Sequence, residues 1–257
     1  MSSNDSIKKT LIVAISLCIV CSVIVSAAAV VLKPAQEINK TLDRKRNILA
    51  AAGMLDDSRS VEEQFSQVTT RVVDLRTGRF TDEVDAARFD QRKSAKDPDS
   101  SEALSGAQDL AKISRRENFA LVYLVEDAQG EVDKIILPIH GYGLWSTLYG
   151  FIALESDANT VAGLGFYEHG ETPGLGGEVD NPRWKAFWPG KEVYRDGEVA
   201  IGLIKGSVDP SSANATWQID GLAGATLTAR GVTNLVQFWL GSDGFEPFLN
   251  NLKAGEA

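Results

Sequence analysis

The chain has 257 residues, 44 % of them apolar, which is enough to bury a sizeable core and excludes a disordered polypeptide. Its formal charge of −9 argues against nucleic-acid binding, which needs a basic face to displace condensed counterions. Neutral or cationic partners stay open.

The first element read along the chain is a membrane span. Leu11 to Leu32, LIVAISLCIVCSVIVSAAAVVL, carries no charge, and as a helix it covers roughly 33 Å, close to the hydrocarbon thickness of a bilayer. Lys8 and Lys9 precede it, and Lys33 and Pro34 close it, the proline standing where a helix no longer needs its backbone donors. A cleaved signal peptide is the rival reading, because Ala27-Ala28-Ala29 resembles a small-residue cleavage site. Signal-peptide apolar regions run about 7 to 15 residues, whereas this one continues through Val31 and Leu32, so its length supports an uncleaved anchor. Lys40, Arg44, Lys45 and Arg46 outnumber the lysines before the span, and charge counting alone does not place the N-terminus inside. Cys18 and Cys21 share one face of the span and read as packing residues rather than as a metal or redox pair. The rest of the chain has no cysteine and forms no disulfide.

Beyond the span, Leu42, Ile48, Leu49 and Ala52 recur at helical spacing and predict a stalk over residues 34–54. A second helix is expected over Val61 to Val68 and a short strand over Arg71 to Leu75. The polar run from Asp82 to Ser105 reads as a long loop or an irregular lobe. Strands are expected at Phe119–Val125, Val132–Pro138, Leu148–Leu154, Val161–Glu168, Ala200–Ile204 and Ala215–Ile219. A last helix should begin near Thr228, bury Val232, Leu235, Val236, Trp239 and Leu240, and stop at Gly241. The fold class is therefore α+β: one N-terminal transmembrane helix, then an α+β domain with a mainly antiparallel sheet. The expected organisation is a head (1–10), a transmembrane helix (11–32), a helical stalk and accessory lobe (33–118), and the α+β domain (119–257).

Three stretches carry candidate chemistry. In Asp220-Gly-Leu-Ala-Gly-Ala-Thr-Leu-Thr228, Thr226 follows residues with almost no side chains and precedes a helix. Either Thr226 is a helix cap, a task Thr228 would fill equally well, or its hydroxyl bears something that the positive end of the helix dipole stabilises, such as a phosphate. No Walker loop is present, so nucleotide triphosphate hydrolysis is not expected. In His169-Gly-Glu-Thr-Pro-Gly-Leu-Gly-Gly177, glycines permit a flat ligand to approach backbone. In Gly141-Tyr-Gly-Leu-Trp145, an aromatic ring stands ready to pack on a planar system. His140 and His169, the two histidines, have no evident nucleophile or ligand cluster nearby, so no catalytic residue and no metal site is expected.

In order and spacing, GYGLWS (141–146), HGETPGLGG (169–177) and DGLAGATLT (220–228) resemble the FMN-binding domain family. That family is shared by the C subunit of the bacterial sodium-translocating NADH:quinone oxidoreductase and the G subunit of the related Rnf complex. NDSIKKTL (4–11) and the span are more similar to the former.

The resemblance implies FMN joined through a phosphoester to Thr226, within a motif formed by Asp220, Gly224, Ala225 and Thr226. Ala223 stands where the family more usually has Ser or Thr. It also implies a flavin bed of Trp145, Glu171, Thr172, Gly174, Leu175, Gly176 and Leu227. The implied maturation partner is a flavin transferase that uses FAD and a divalent metal. The implied function is electron relay between an iron–sulfur centre and another flavin-bearing subunit, on the route from NADH to ubiquinone that drives sodium export. The implied location is the bacterial inner membrane, crossed once, with the C-terminal domain on the periplasmic side. An Rnf-type G subunit and a non-redox, membrane-tethered binding module are the alternatives.

Overall fold

The structure, a computed structural model, describes residues 6–257. Residues 1–5, part of the expected head, lie outside the described residues. The chain divides into two compact units, one up to Asp43 and one from Arg44 to Ala257.

Helix α1 runs from Ile7 to Ala51 without a break. Its apolar side chains between Leu11 and Leu32 are exposed, and among the described residues it is one helix long and apolar enough to cross a membrane. Pro34 does not end it, contrary to the sequence expectation. A proline removes one intrahelical donor, and the favourable helix formers that follow, Glu37, Lys40, Leu42 and Arg44 among them, carry the helix across that gap.

The second unit is built on a six-stranded antiparallel sheet. Its strands are β1 (Val68–Asp74), β2 (Arg79–Phe80), β5 (Phe119–Glu126), β6 (Val132–Tyr142), β7 (Thr147–Glu155) and β8 (Val161–Glu168), in the order β2-β1-β5-β6-β7-β8. The short helices α2 (Val61–Phe65) and α3 (Gln91–Ser94) and the hairpin of β3 (Ser101–Ala103) with β4 (Arg115–Glu117) come from the segment preceding β5. That segment also supplies β1, which pairs with β5 from Val68↔Val125 to Asp74↔Phe119, so residues expected as stalk and lobe build part of the main sheet. Helix α2 ends at Phe65 rather than Val68, because Val68, Val72 and Val73 are better buried as strand residues.

Strand alternation feeds two apolar layers. Ala120, Val122 and Leu124 point to one, with Ile135, Leu137, Ile152 and the later helices. Leu121, Tyr123 and Val125 point to the other, where Ile48, Leu49, Ala51 and Ala52 at the end of α1 cover the sheet with Ile136 and Phe151. The spacing that predicts a stalk thus marks a buried stripe.

After β8 come α4 (Pro182–Lys185), the two-residue strands β9 (Tyr194–Arg195), β10 (Glu198–Val199), β11 (Gly202–Leu203) and β12 (Gln218–Ile219), and then α5 (Thr226–Leu240) and α6 (Glu246–Ala254). Only Gly202–Leu203 of the expected strand over 200–204 is extended, and Ala215–Trp217 form a 3-10 turn before β12. Helix α5 lies on the sheet with Val232, Leu235, Val236, Trp239 and Leu240 buried, and the Trp239 indole N–H donates to the His140 carbonyl at 2.7 Å. It ends at Gly241, as its sequence spacing predicts. It starts two residues earlier than expected, at Thr226, with Ala225 as an N-cap that offers no side-chain acceptor. Helix α6 has no counterpart in the sequence reading. Its Phe248 is fully buried and meets Phe80 edge-on at 5.2 Å.

Candidate functional site

The three glycine-rich stretches converge on the N-terminal end of α5, and Glu171 holds them together. Glu171 is almost fully buried. Its Oε1 accepts from the backbone N–H groups of Leu144 and Trp145, each at 3.0 Å, and its Oε2 accepts from the Thr228 hydroxyl at 2.6 Å. One carboxylate therefore ties the turn after β6 to the first turn of α5. Burial works against its charge, yet the hydrogen bonds from Thr228, Trp145 and Leu144 outweigh that cost and hold its carboxyl below the usual carboxylate range.

Around Glu171 the loop after β8 is locked by its own residues. His169 Nδ1 accepts from the Glu171 N–H at 3.2 Å, while Nε2 lies 2.7 Å from Asp180 Oδ2. The Ser146 hydroxyl accepts from the Gly170 N–H at 2.6 Å, and the Thr172 carbonyl accepts from the N–H of Gly177 at 2.9 Å. His169 is thus a loop-packing residue. Gly176 is required by close approach, since a Cβ there would stand 2.5 Å from Thr228 Oγ1 and 2.7 Å from Glu171 Oε2. Gly176→Ala is expected to lower stability by about 1–3 kcal/mol, measured by urea denaturation of the purified chain, because neither polar partner can retreat from its bond.

Thr226 is exposed and Thr228 is buried, so the two threonines of T-L-T divide their roles. Thr228 spends its hydroxyl on Glu171. No side chain caps α5, so neither threonine is the cap that local chemistry alone suggests. Thr226 accordingly presents a free hydroxyl at the positive end of a fifteen-residue helix. Gly224 reaches this junction with a φ of 72°, in the left-handed region, and leaves room for the Leu175 side chain, which a Cβ would meet at 3.0 Å.

The other residues that the resemblance implies differ in exposure. Trp145 is 65 % exposed, Leu227 53 % and Leu175 45 %, although large apolar side chains elsewhere in this unit are mostly buried. Thr172 and Gly174 are exposed on the same loop as Leu175, and Ala225 is buried beneath the junction. Asp220 is placed differently. Its carboxylate accepts from the Val208 N–H at 2.8 Å and its carbonyl accepts from the Trp184 indole at 3.0 Å, so it braces the loop.

A cleft of about 520 Å³ opens beside Thr226, and sequence reasoning missed it. Lys205, Ser207, Arg230 and Thr233 line it together with Gly221, Leu222, Ala223, Gly224 and Thr226. The helical interval from Thr226 to Arg230 is the one signal the sequence offered, because residues four apart share a face. Lys205 and Ser207 reach the cleft through a turn at Gly206, and the Gly221 N–H donates to the Gly206 carbonyl at 2.8 Å. No local pattern announces that long-range pairing.

Comparison with known proteins gives the arrangement a family. The chain is 57 % identical to the C subunit of the Na(+)-translocating NADH-quinone reductase of Pseudomonas aeruginosa, over the full length of both chains. The chain belongs to the C-subunit family of Na(+)-translocating NADH-quinone reductases. The FMN-binding domain model matches residues 143–241, which take in Trp145, Glu171, Leu175 and Thr226. The fold agrees with the crystal structure of NqrC from Shewanella oneidensis, with a TM-score of 0.76, 37 % identity, and coverage of 82 % of this chain and 97 % of that one. The C-subunit structure from Parabacteroides distasonis superposes with a TM-score of 0.65 at 28 % identity, covering 85 % and 96 %. Membership in the C-subunit family favours that reading of the motifs over an Rnf-type G subunit.

Proposed function

We propose that this chain carries FMN as a phosphoester on Thr226 and relays electrons within a sodium-translocating NADH:quinone reductase. The relay would run between an iron–sulfur centre and another flavin-bearing subunit. The observation that carries the proposal is the exposed Thr226 hydroxyl at an uncapped helix N-terminus, within a unit that also leaves the side chains of Trp145, Leu175 and Leu227 uncovered.

The residues present fit the group. The first turn of α5 favours a negative phosphodiester through its dipole, and Lys205 and Arg230 across the adjoining cleft supply cations. Trp145, Leu175 and Leu227 provide apolar contact for a planar ring, and the loop from Glu171 to Gly176 offers backbone polar groups to its edge. Bound FMN supplies electron-transfer chemistry that no side chain here has. Covalent attachment keeps the group on a domain remote from the cytoplasmic FMN pool. The proposed location follows the same logic: α1 anchors the chain once in the bacterial inner membrane, and residues 44–257 lie on the periplasmic side, where a flavin transferase using FAD and a divalent metal reaches Thr226.

Expression with and without such a transferase, followed by mass spectrometry of the digested chain, tests the reading. A mass gain of FMN less one water on the peptide containing Thr226, present only with the transferase, is the expected result. An unmodified Thr226 peptide in chain recovered from an active membrane complex would support the non-redox binding module instead.

A further inference from the structure

A second cavity, of about 190 Å³, lies under the α3 segment, and no residue of α5 is among its lining. Its character is opposite to that of the protein as a whole. In a chain of net charge −9, its lining includes Arg44, Arg92, Lys96, Lys112 and Arg115, and a single acidic residue, Glu117.

Two of these cations are already used. Arg92 forms a two-pronged ion pair with Glu168, at 2.7 and 2.9 Å, and its guanidinium sits 3.7 Å from the Tyr149 ring centre. Arg115 donates to the Ser101 hydroxyl and carbonyl at 2.8 and 2.6 Å. The side-chain ammonium groups of Lys96 and Lys112 have no hydrogen-bond or ion-pair partner among the described residues. Lys112 is also held in place at a cost. Its φ is 53°, in the left-handed region that non-glycine residues avoid, and the Asp109 carboxylate fixes the turn by accepting from the N–H groups of Ile113 and Ser114 at 2.7 and 2.9 Å.

The floor has unmet polar atoms. Glu117 is fully buried; its Oε1 accepts from the Gln91 amide at 2.6 Å, and its Oε2 has no partner. Burial pushes the Glu117 carboxyl up to about 7, against the pull of the Gln91 bond and Arg116. The Arg44 Nε–H is a buried donor without a partner, from a second lining residue. Unmet buried polar atoms are rare in folded proteins. Here a buried unpartnered carboxylate oxygen and a buried unpartnered guanidinium N–H belong to two residues of one cavity wall, alongside two lysines whose ammonium groups are unpaired.

We propose that this cavity is a binding site for a small carboxylate, whose oxygens are held by Lys96 and Lys112 and whose body lies against Ile113, Pro138 and Ile139. At roughly 30 Å³ for each water-sized unit, the cavity of about 190 Å³ admits about six such units, which limits the ligand to a small carboxylate. The stacked pair of His140 and Tyr149, 5.5 Å apart, makes one wall rigid, so the site is preformed rather than moulded by its ligand.

Isothermal titration of the detergent-solubilised full chain with sodium benzoate and with sodium acetate, against sodium chloride at equal ionic strength, tests this site. Saturable binding of at least one carboxylate is expected, weakened tenfold or more in the Lys96→Gln/Lys112→Gln double variant. Both lysines are exposed and their ammonium groups unpaired, so that variant should keep the parent's melting temperature. Absence of carboxylate binding above the chloride reference, or undiminished affinity in the double variant, would overturn the proposal.

Discussion

Thr226→Val is expected to yield a folded chain with no covalent flavin, seen as loss of the ultraviolet-excited fluorescent band on a denaturing gel after expression with the transferase. The effect should be all-or-none, because valine preserves the shape of threonine and removes the one oxygen through which an ester forms. Stability should change by less than about 0.5 kcal/mol, as Thr226 is exposed and caps nothing. Thr228→Val is the internal control, two residues along the same helix. It should keep the fluorescent band and lose about 1–3 kcal/mol, since a buried oxygen of Glu171 is left without its 2.6 Å donor. A band that survives in Thr226→Val and vanishes in Thr228→Val would move the attachment to the wrong side of the helix for the cleft that Lys205 and Arg230 line.

Glu171→Leu should be the most damaging single change at the site, costing about 3–5 kcal/mol in urea denaturation. It strands two backbone N–H groups and the Thr228 hydroxyl in a buried position at once. Glu171→Gln keeps one acceptor for Leu144 and Trp145 and should cost about 1–2 kcal/mol. The pH response separates the two states of the acid. Because its folded-state carboxyl is held below the ordinary value of 4.5, Glu171 contributes stability that is fully present above that pH and is lost as the pH falls through the folded value. Melting curves from pH 6 downward should show the parent losing its advantage over Glu171→Gln as acid is added. A gap that stays constant with pH would mean that the carboxylate charge plays no part.

Much of this molecule was legible because its signals are local. The uncharged run from Leu11 to Leu32 needs only its own length to be read as a span, and the four central strands from Phe119 to Glu168 announce themselves by composition and bounding turns. The buried face of α5 follows from helical spacing alone. The motif positions could likewise be named from resemblance, although not the work each side chain does. Asp220 and Thr228 illustrate the difference: they sit eight residues apart in one motif, yet one braces the Val208 turn and the other donates to Glu171.

What tertiary structure alone decided involves partners far apart in the chain. Val68–Asp74 becomes a strand of the main sheet because Phe119–Glu126 offers an open edge, and Ile48, Leu49 and Ala52 become core because that sheet has a second face to cover. The cleft beside Thr226 exists because Gly221 bonds to Gly206, and the cationic cavity because α3, β4 and the β6–β7 hairpin close around Glu117. Sequence by itself determined the anchor, the central strands and the candidate hydroxyl, since periodicity and composition act over a few turns of chain. Which threonine is buried, which acid binds the loops together and where unpaired charge collects depend on contacts between distant residues, and those form only when the sheet assembles.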